Sequence, residues 1–512
     1  MPNNLPKQVL IVGGGTAGWI TAAMLARSWP KSTKITLIES PTIGRVGVGE
    51  STIPSMQTLI RFLGIDEAEF MRQTHATFKC TLHMVGWNVE GGQAQDSYHP
   101  LFGWREDQVE ILDEWICDWG SNQEPKRFID CFQGVHLAQH KKSPKKFDDG
   151  PHQGAVQYAY HLDAVRLADF LRDWAVERGV VHLLDDVTTW TRTAGGDLES
   201  VTTNSNGTLR SDMFFDCSGF RSLLMLQALE EPYLSYSNDL YCDSAVAIPS
   251  FPNWDQRGIA CETRATTLCG GWCWEVPLQT RQGNGYVYSS NELTPQEAEL
   301  ELIKHLGDVR IGEPRHLTTN TGRLRHAWVR NCIAVGLSAG FVEPLESTSI
   351  FAIQFAVSQF LLANRNCDAE NIDAARDEFN KINSDFYDGI RDFIVAHYYL
   401  ASRTDTEFWR ANTSRSQLPA LLEEVLMRWD HGDQVDEFLR KSASRHLVSP
   451  VSWYCILTSL NRIPKSAKLK SSPNPSLALK FSKRVEETIA SIANFPDHWQ
   501  YFRRMGSNRP LP

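Results

Sequence analysis

No stretch of 18 consecutive apolar residues occurs in this chain of 512 residues, and its start, MPNNLPKQVLIVGGG, lacks a basic segment followed by an apolar one and a cleavage site. The first absence excludes a membrane-crossing helix and the second a secretory leader, so a soluble, cytoplasmic protein with no membrane partner is expected. A broad basic face is missing as well. The net charge of −10 argues against nucleic acid as a partner, because few phosphate counterions could be displaced. The short basic runs HKKSPKK at 140–146 and KSAKLKSS at 465–472 read as solvated loops. Eleven cysteines occur without a CxxC pair, which fits reduced thiols better than a disulfide framework. Cys269 and Cys273 have no second pair or nearby histidines to complete a zinc site, so no metal is expected.

What the chain does have is apolar sequence, 42% of its residues, enough for roughly two to four domains or one large two-part enzyme. QVLIV at 8–12 is a β-branched run followed by Gly13-Gly14-Gly15-Thr16-Ala17-Gly18 and a helical pattern. This predicts strand, tight turn and helix with the G-x-G-x-x-G spacing. Gly13 permits the turn, Gly15 lets a pyrophosphate approach the backbone, and Gly18 allows close helix packing. A second strand, KITLIES, ends at Glu39, 21 residues after Gly18, where a carboxylate can accept from a ribose hydroxyl. The fingerprint alone does not separate FAD from NAD. Downstream, a helix is expected over 162–179, then strands VVHLLDD and VTTWTRT, turns at Gly195-Gly196-Asp197 and Asn206-Gly207, and SDMFFDCSGF, a β-meander ending at Asp216. A third glycine-bearing strand, 331–341, carries Gly336, Leu337 and Gly340. Three returns to one nucleotide site over more than 300 residues suit FAD.

Four further stretches follow in order: GVGESTIP at 47–54, TFKCTLHMVGW at 77–87, GGWCWEVPL at 270–278 and FVEPLESTSI at 341–350. With the glycine fingerprint, and over about residues 7 to 465, they resemble the flavin-dependent halogenases of the tryptophan-halogenase family. Ser51 stands where the family usually has alanine, and Val276 replaces isoleucine in its W-x-W-x-I-P signature. The resemblance implies an α/β fold: a Rossmann-like FAD-binding domain of the aromatic-hydroxylase type, an additional β-sheet and a mainly helical substrate-capping subdomain. Residues 1–365 would form the flavin and halide-oxidising region, with substrate-side insertions near 70–155 and 225–320, and 366–512 the helical cap and tail.

The resemblance also implies roles. Cofactor contacts would fall at Gly13, Gly15, Thr16, Ala17, Gly18, Glu39, Gly49, Ser51, Asp216, Gly336, Leu337 and Gly340. Reduced FAD from a separate reductase, oxygen and chloride or bromide would give hypohalous acid, with the halide held at Thr348 and Ser349. Several family members carry glycine where Ser349 stands, which matters if that position needs a positive φ. Lys79 would carry the halogen, as an ammonium or as a haloamine, and Glu346 would stabilise and deprotonate the arenium ion. Trp272 and Trp274 would separate flavin from substrate, while His99, Phe102 and Trp453 would line an aromatic pocket. Read without the resemblance, Lys79 is an edge-strand charge, the tryptophans are core aromatics on one strand face, and Glu346 sits at a positive helix end. Glu343 fits that helix-end role better than Glu346 does.

Members acting on free tryptophan carry a tyrosine-rich, acid-containing segment that holds the amino acid's charged end. Here the corresponding KSASRHLVSPVSW has neither a tyrosine pair nor a glutamate. A buried zwitterion needs partners, so indole or another uncharged aromatic is expected, with free tryptophan as the alternative. A flavin monooxygenase and a ligand-binding flavoprotein without chemistry are the competing classes. A homodimer is compatible with the sequence. Residues 465–512 read as a loosely packed tail.

Overall fold

The run QVLIV becomes strand Gln8–Val12, buried at every position after the first, as expected for a strand covered on both faces of a parallel sheet. The computed structural model describes residues 5–44, 49–90, 93–100, 108–365, 371–433, 435–442, 448–464 and 474–507. Gln8–Val12 lies within a six-stranded sheet ordered Trp328–Val329, Cys332–Ala334, Met213–Asp216, Gln8–Val12, Lys34–Glu39, Val181–Leu184. Every neighbouring pair is parallel except the first. At Gly13, φ is +120° and a Cβ would stand 2.1 Å from the Cys217 carbonyl oxygen. Only glycine closes this turn, from which helix Thr16–Ser28 departs.

The expected meander is shorter than the pattern suggested. Val181–Leu184 pairs in parallel with Lys34–Glu39, leaving three antiparallel strands, Val187–Arg192, Leu198–Thr203 and Gly207–Arg210. The chain then returns to the centre of the large sheet as Met213–Asp216.

A second, seven-stranded sheet runs Arg315–Thr318, Ser244–Ala247, Gln282–Tyr288, Gly271–Pro277, Glu262–Leu268, Thr81–Glu90, Gln93–Pro100. The stretch TFKCTLHMVGW is broken across two sheets. Thr77–Lys79 pairs with Ala159–Asp163 beside Gly49–Ser51, while Thr81–Glu90 pairs with Glu262–Leu268. The crossing residue, Cys80, donates its N–H to the Cys261 carbonyl at 2.7 Å. Lys79 therefore ends its strand at a seam between sheets, where its side chain is 1% exposed. The edge-strand reading of an exposed lysine does not hold.

Helices Ser349–Arg365, Ile372–Leu400, Ala420–His431 and Pro450–Ser459 cover this frame. On the long second helix, Phe379, Phe386, Ile390, Phe393 and His397 are buried at helical spacing. No helix among the described residues is long and apolar enough to cross a membrane. The ten described cysteines are free thiols.

Two sequence readings are corrected here. Residues 474–507 are not a loose tail: they form helices Pro475–Ser491 and His498–Ser507, with Phe481, Val485, His498 and Phe502 buried. Apolar residues at helical spacing give this segment a face to bury despite its many charges. Lys145, within the basic run at 140–146, is no solvated loop residue. It is buried and pairs with Glu67 at 2.8 Å, which also accepts from Tyr158 and Tyr160 hydroxyls at 2.6 Å; that carboxylate compensates the desolvated ammonium.

Candidate active site

A cavity of about 740 Å³ opens at the C-terminal ends of the central strands, lined by Gly13, Gly15, Thr16, Ala17 and Glu39 on one side. Gly49, Ser51, Gly336, Leu337 and Gly340 line it further along, and Trp274, Ser347, Thr348 and Ser349 close its far end. This is where an open parallel sheet places a nucleotide. A Cβ built on Gly15 would meet no protein atom within 4 Å, so the turn presents bare backbone to the cavity. Glu39, at the end of its strand, lies 2.9 Å from His182 Nε2. The cavity size, the bare turn and the strand-end carboxylate fit FAD.

Two residues expected at the cofactor lie elsewhere. Gly18 packs on the turn, where a Cβ would stand 1.8 Å from the Gly13 carbonyl oxygen. Asp216 is fully buried below the cavity. Its carboxylate accepts from the Leu224 and Met225 N–H groups at 2.8 and 3.0 Å and from Ser218 Oγ at 2.6 Å. It anchors the Ser218–Gly219 turn, which does line the cavity. Five hydrogen bonds, counting those from the Ser218 N–H and Ser338 Oγ, occupy it from within.

The tryptophan pair divides its work. The rings are 6.4 Å apart and edge-on; Trp274 lines the cavity, whereas Trp272 donates its indole N–H to Glu343 Oε2 at 3.1 Å. Glu343 also accepts from the Tyr398 hydroxyl at 2.5 Å. It is fully buried, and burial pushes its carboxyl up to about 7 against the opposing hydrogen bonds of Tyr398 and Trp272. The helix-end role expected for Glu343 is thus overturned. The helix starts at Ser349, and Pro344–Glu346 is a separate 3₁₀ turn.

Beyond that turn lies an aromatic cluster. Glu346 Oε1 is 2.8 Å from His99 Nδ1 and 2.8 Å from His397 Nε2. His397 Nδ1 faces the Phe393 carbonyl at 2.7 Å, which can only accept, so Nδ1 carries hydrogen and Nε2 is the atom turned to the Glu346 carboxylate. Burial raises the Glu346 carboxyl, but the charges and hydrogen bonds of His99 and His397 outweigh burial and hold it well below the usual range. Phe393 packs on His99, His397 and Trp453 at 5.7, 4.8 and 4.9 Å. His99 and Trp453 are thereby brought together; Phe102 lies outside the described residues.

Lys79 joins the two halves. Its Nζ donates to Ser347 Oγ at 2.7 Å and to the Thr52 carbonyl at 3.2 Å. Burial pushes the ammonium down to about 7, with the Glu346 charge partly opposing. Ser347 is the residue that the sequence reading missed. It adopts φ 59°, the left-handed conformation considered for Ser349, and that conformation turns its hydroxyl toward Lys79. A serine ahead of a helix carries no signal of such a conformation.

The fold and this arrangement define a flavoenzyme whose nucleotide cavity, lined by Ser347 and Trp274, adjoins a buried lysine and a half-buried glutamate held by two histidines of an aromatic cluster. Residues 8–473 match the tryptophan halogenase family, and the chain belongs to that family. It is 36% identical to 7-chloro-L-tryptophan 6-halogenase KtzR of Kutzneria sp. (strain 744), over 97% of this chain and 99% of the relative. The crystal structure of tryptophan 6-halogenase SttH from Streptomyces toxytricini superposes with a TM-score of 0.87 at 34% identity, covering 97% of this chain and all of that one. BrvH, a flavin-dependent halogenase from Brevundimonas sp. BAL3, gives 0.86 at 31% identity, with 98% and 99% covered. The protein is an enzyme, a flavin-dependent halogenase.

Proposed function

We propose that this enzyme halogenates the ring of an uncharged, electron-rich aromatic, indole or a substituted indole. FAD, held at Gly13–Ala17, Glu39, Gly49, Ser51 and Gly336–Gly340 and delivered reduced by a separate reductase, would supply with oxygen the oxidising power that converts chloride or bromide to hypohalous acid. Backbone N–H groups of Thr348 and Ser349, at the start of helix Ser349–Arg365, favour an anion beside the cavity. The observation that carries the reading is the two-sided wall: Ser347 lines the flavin cavity, Glu346 is bound to the histidines of the aromatic cluster, and Lys79 is bonded to Ser347. Only a small oxidant relayed along Lys79 would reach the ring. There Glu346, held ionised, lowers the energy of the cationic arenium ion, and its proton is taken up in the Glu346–His397 pair.

Free tryptophan is the second reading, favoured by the substrates in the names of KtzR and SttH. An assay with reduced FAD, oxygen and chloride or bromide against indoles and tryptophan, read by mass spectrometry, tests both. Halogenated indole formed faster than halogenated tryptophan is the expected result. Lys79→Ala should abolish product while flavin affinity is retained; an active Lys79→Ala enzyme would refute the relay, and oxygenated product without halide would favour a monooxygenase.

A further inference from the structure

Behind Lys79 runs an unbroken chain of buried hydrogen bonds. Lys79 Nζ donates to Ser347 Oγ at 2.7 Å, and Ser347 Oγ donates to Ser51 Oγ at 3.0 Å. Ser51 Oγ lies 2.6 Å from Thr263 Oγ1, and Thr263 Oγ1 lies 2.9 Å from His161 Nε2. His161 Nδ1 is 3.2 Å from Thr77 Oγ1, which donates to the Pro277 carbonyl at 2.6 Å. All of these side chains are buried.

The direction of every proton follows from the far end. A carbonyl only accepts, so the Thr77 hydroxyl spends its hydrogen on Pro277 and must receive one from His161 Nδ1. Neutral His161 then offers a bare Nε2, to which Thr263 donates. Thr263 in turn receives from Ser51, Ser51 from Ser347, and Ser347 from the lysine. One polarity runs through the chain, away from the ammonium and toward the imidazole.

We propose that Ser51, Thr263 and His161 form a proton outlet that converts Lys79 from ammonium to the amine able to accept a halogen. The inference rests on the reading of Lys79 as the halogen carrier. The ammonium passes one proton to Ser347, each hydroxyl passes one onward, and His161 Nε2 receives the last. The freed electron pair on nitrogen attacks the halogen of hypohalous acid and forms the N–X bond. The X–O bond breaks toward oxygen, which takes a second proton from nitrogen and leaves as water. Neutral His161 is the resting form, because burial first, then the charge of Lys79 and the proximity of His498, hold its pKa well below the usual value. Once the lysine has given up its proton, its repulsion is gone and only burial and His498 still oppose a charged His161. Ser51 is the link that joins Ser347 to Thr263, and an alanine there would break the chain. Ser51, Thr263 and His161 are positioning and relay residues for Lys79.

The groups facing the pair are Glu346 at Lys79 and His498 at His161, and neither is altered in the test. In cofactor-free protein labelled with ¹⁵N-histidine, with His161 assigned by the signal lost in His161→Gln, the Nδ1–H tautomer is expected at neutral pH. An Nε2–H tautomer would overturn the proton order. In turnover with reduced FAD, Ser51→Ala and the isosteric Thr263→Val should lower kcat by about 10²-fold at unchanged KM, lose the solvent isotope effect and shift the acidic limb of the pH profile. Thr263→Ser, which keeps the hydroxyl, should restore all three. Ser51→Ala and Thr263→Val with the parent's rate and pH profile would overturn the outlet, while an inactive Lys79→Ala kept the halogen-carrier reading. An active Lys79→Ala would instead remove that reading.

Discussion

Two carboxylates three positions apart, Glu343 and Glu346, are driven in opposite directions by what surrounds them. Burial with only neutral donors, Tyr398 and Trp272, favours the protonated form of Glu343, whereas the two histidines favour the ionised form of Glu346. For Glu343 the folded state binds the proton more tightly than the unfolded chain, so its contribution to stability falls as pH rises from about 4.5 to about 7 and is level above. Glu343→Gln should remove that fall: relative to the parent, it gains on the order of 1 to 3 kcal/mol between those limits, read as the difference in chemical-denaturation midpoints. Glu346→Gln keeps the shape but not the charge, and should cut kcat by about 10²-fold or more with little change in KM. That Lys79, Glu346 and the tryptophans deserve a place in one candidate site could be read from the sequence, because each sits in a motif. The reversal of roles at Glu343 could not, since it depends on Tyr398, 55 residues away, and on a burial that a loop sequence does not announce.

At the scale of elements, the strand bearing Lys79 is three residues long and is supported from the far end of the chain. His498 stacks on Phe78 at 5.8 Å, accepting its N–H at 3.3 Å, and Phe502 packs on the same ring at 5.4 Å. Phe502→Ala should cost about 3 kcal/mol of stability and reduce halogenation more than flavin affinity, as measured by thermal unfolding, product yield and flavin titration. The strand–turn–helix at the start was readable because glycine spacing and a β-branched run agree on one answer. Val181–Leu184 misled because an edge strand, exposed or half-exposed throughout, looks the same in a meander and in a parallel sheet. The terminal helices were hidden behind the Lys- and Ser-rich 465–472, whose composition drew attention from the helical spacing that follows.

For the whole molecule, α/β class and a helical cover could be read ahead of the structure, but the joining of strands from 81–100 and 244–318 into one sheet could not. Sheet partners far apart in sequence leave no local periodicity. The cavity itself is bounded by segments spread from Val12 to Tyr387, which argues that FAD binding and the ring chemistry depend on one assembled body. If reduced FAD is all that the reductase contributes, chemically reduced FAD should give the same product at a comparable initial rate. A strict requirement for the reductase protein, seen by comparing the two supplies at equal flavin, would point to a docked complex instead.

The contact between Phe78 and His498 spans 420 residues of chain. A ribosome building this enzyme completes the fingerprint turn, Lys79 and the tryptophan pair well before it reaches His498, which braces the strand of Lys79. The nascent chain therefore carries Lys79 without the support behind its strand, and the ability to handle an oxidant as harsh as hypohalous acid should arise only once residues 474–507 have been made and have folded.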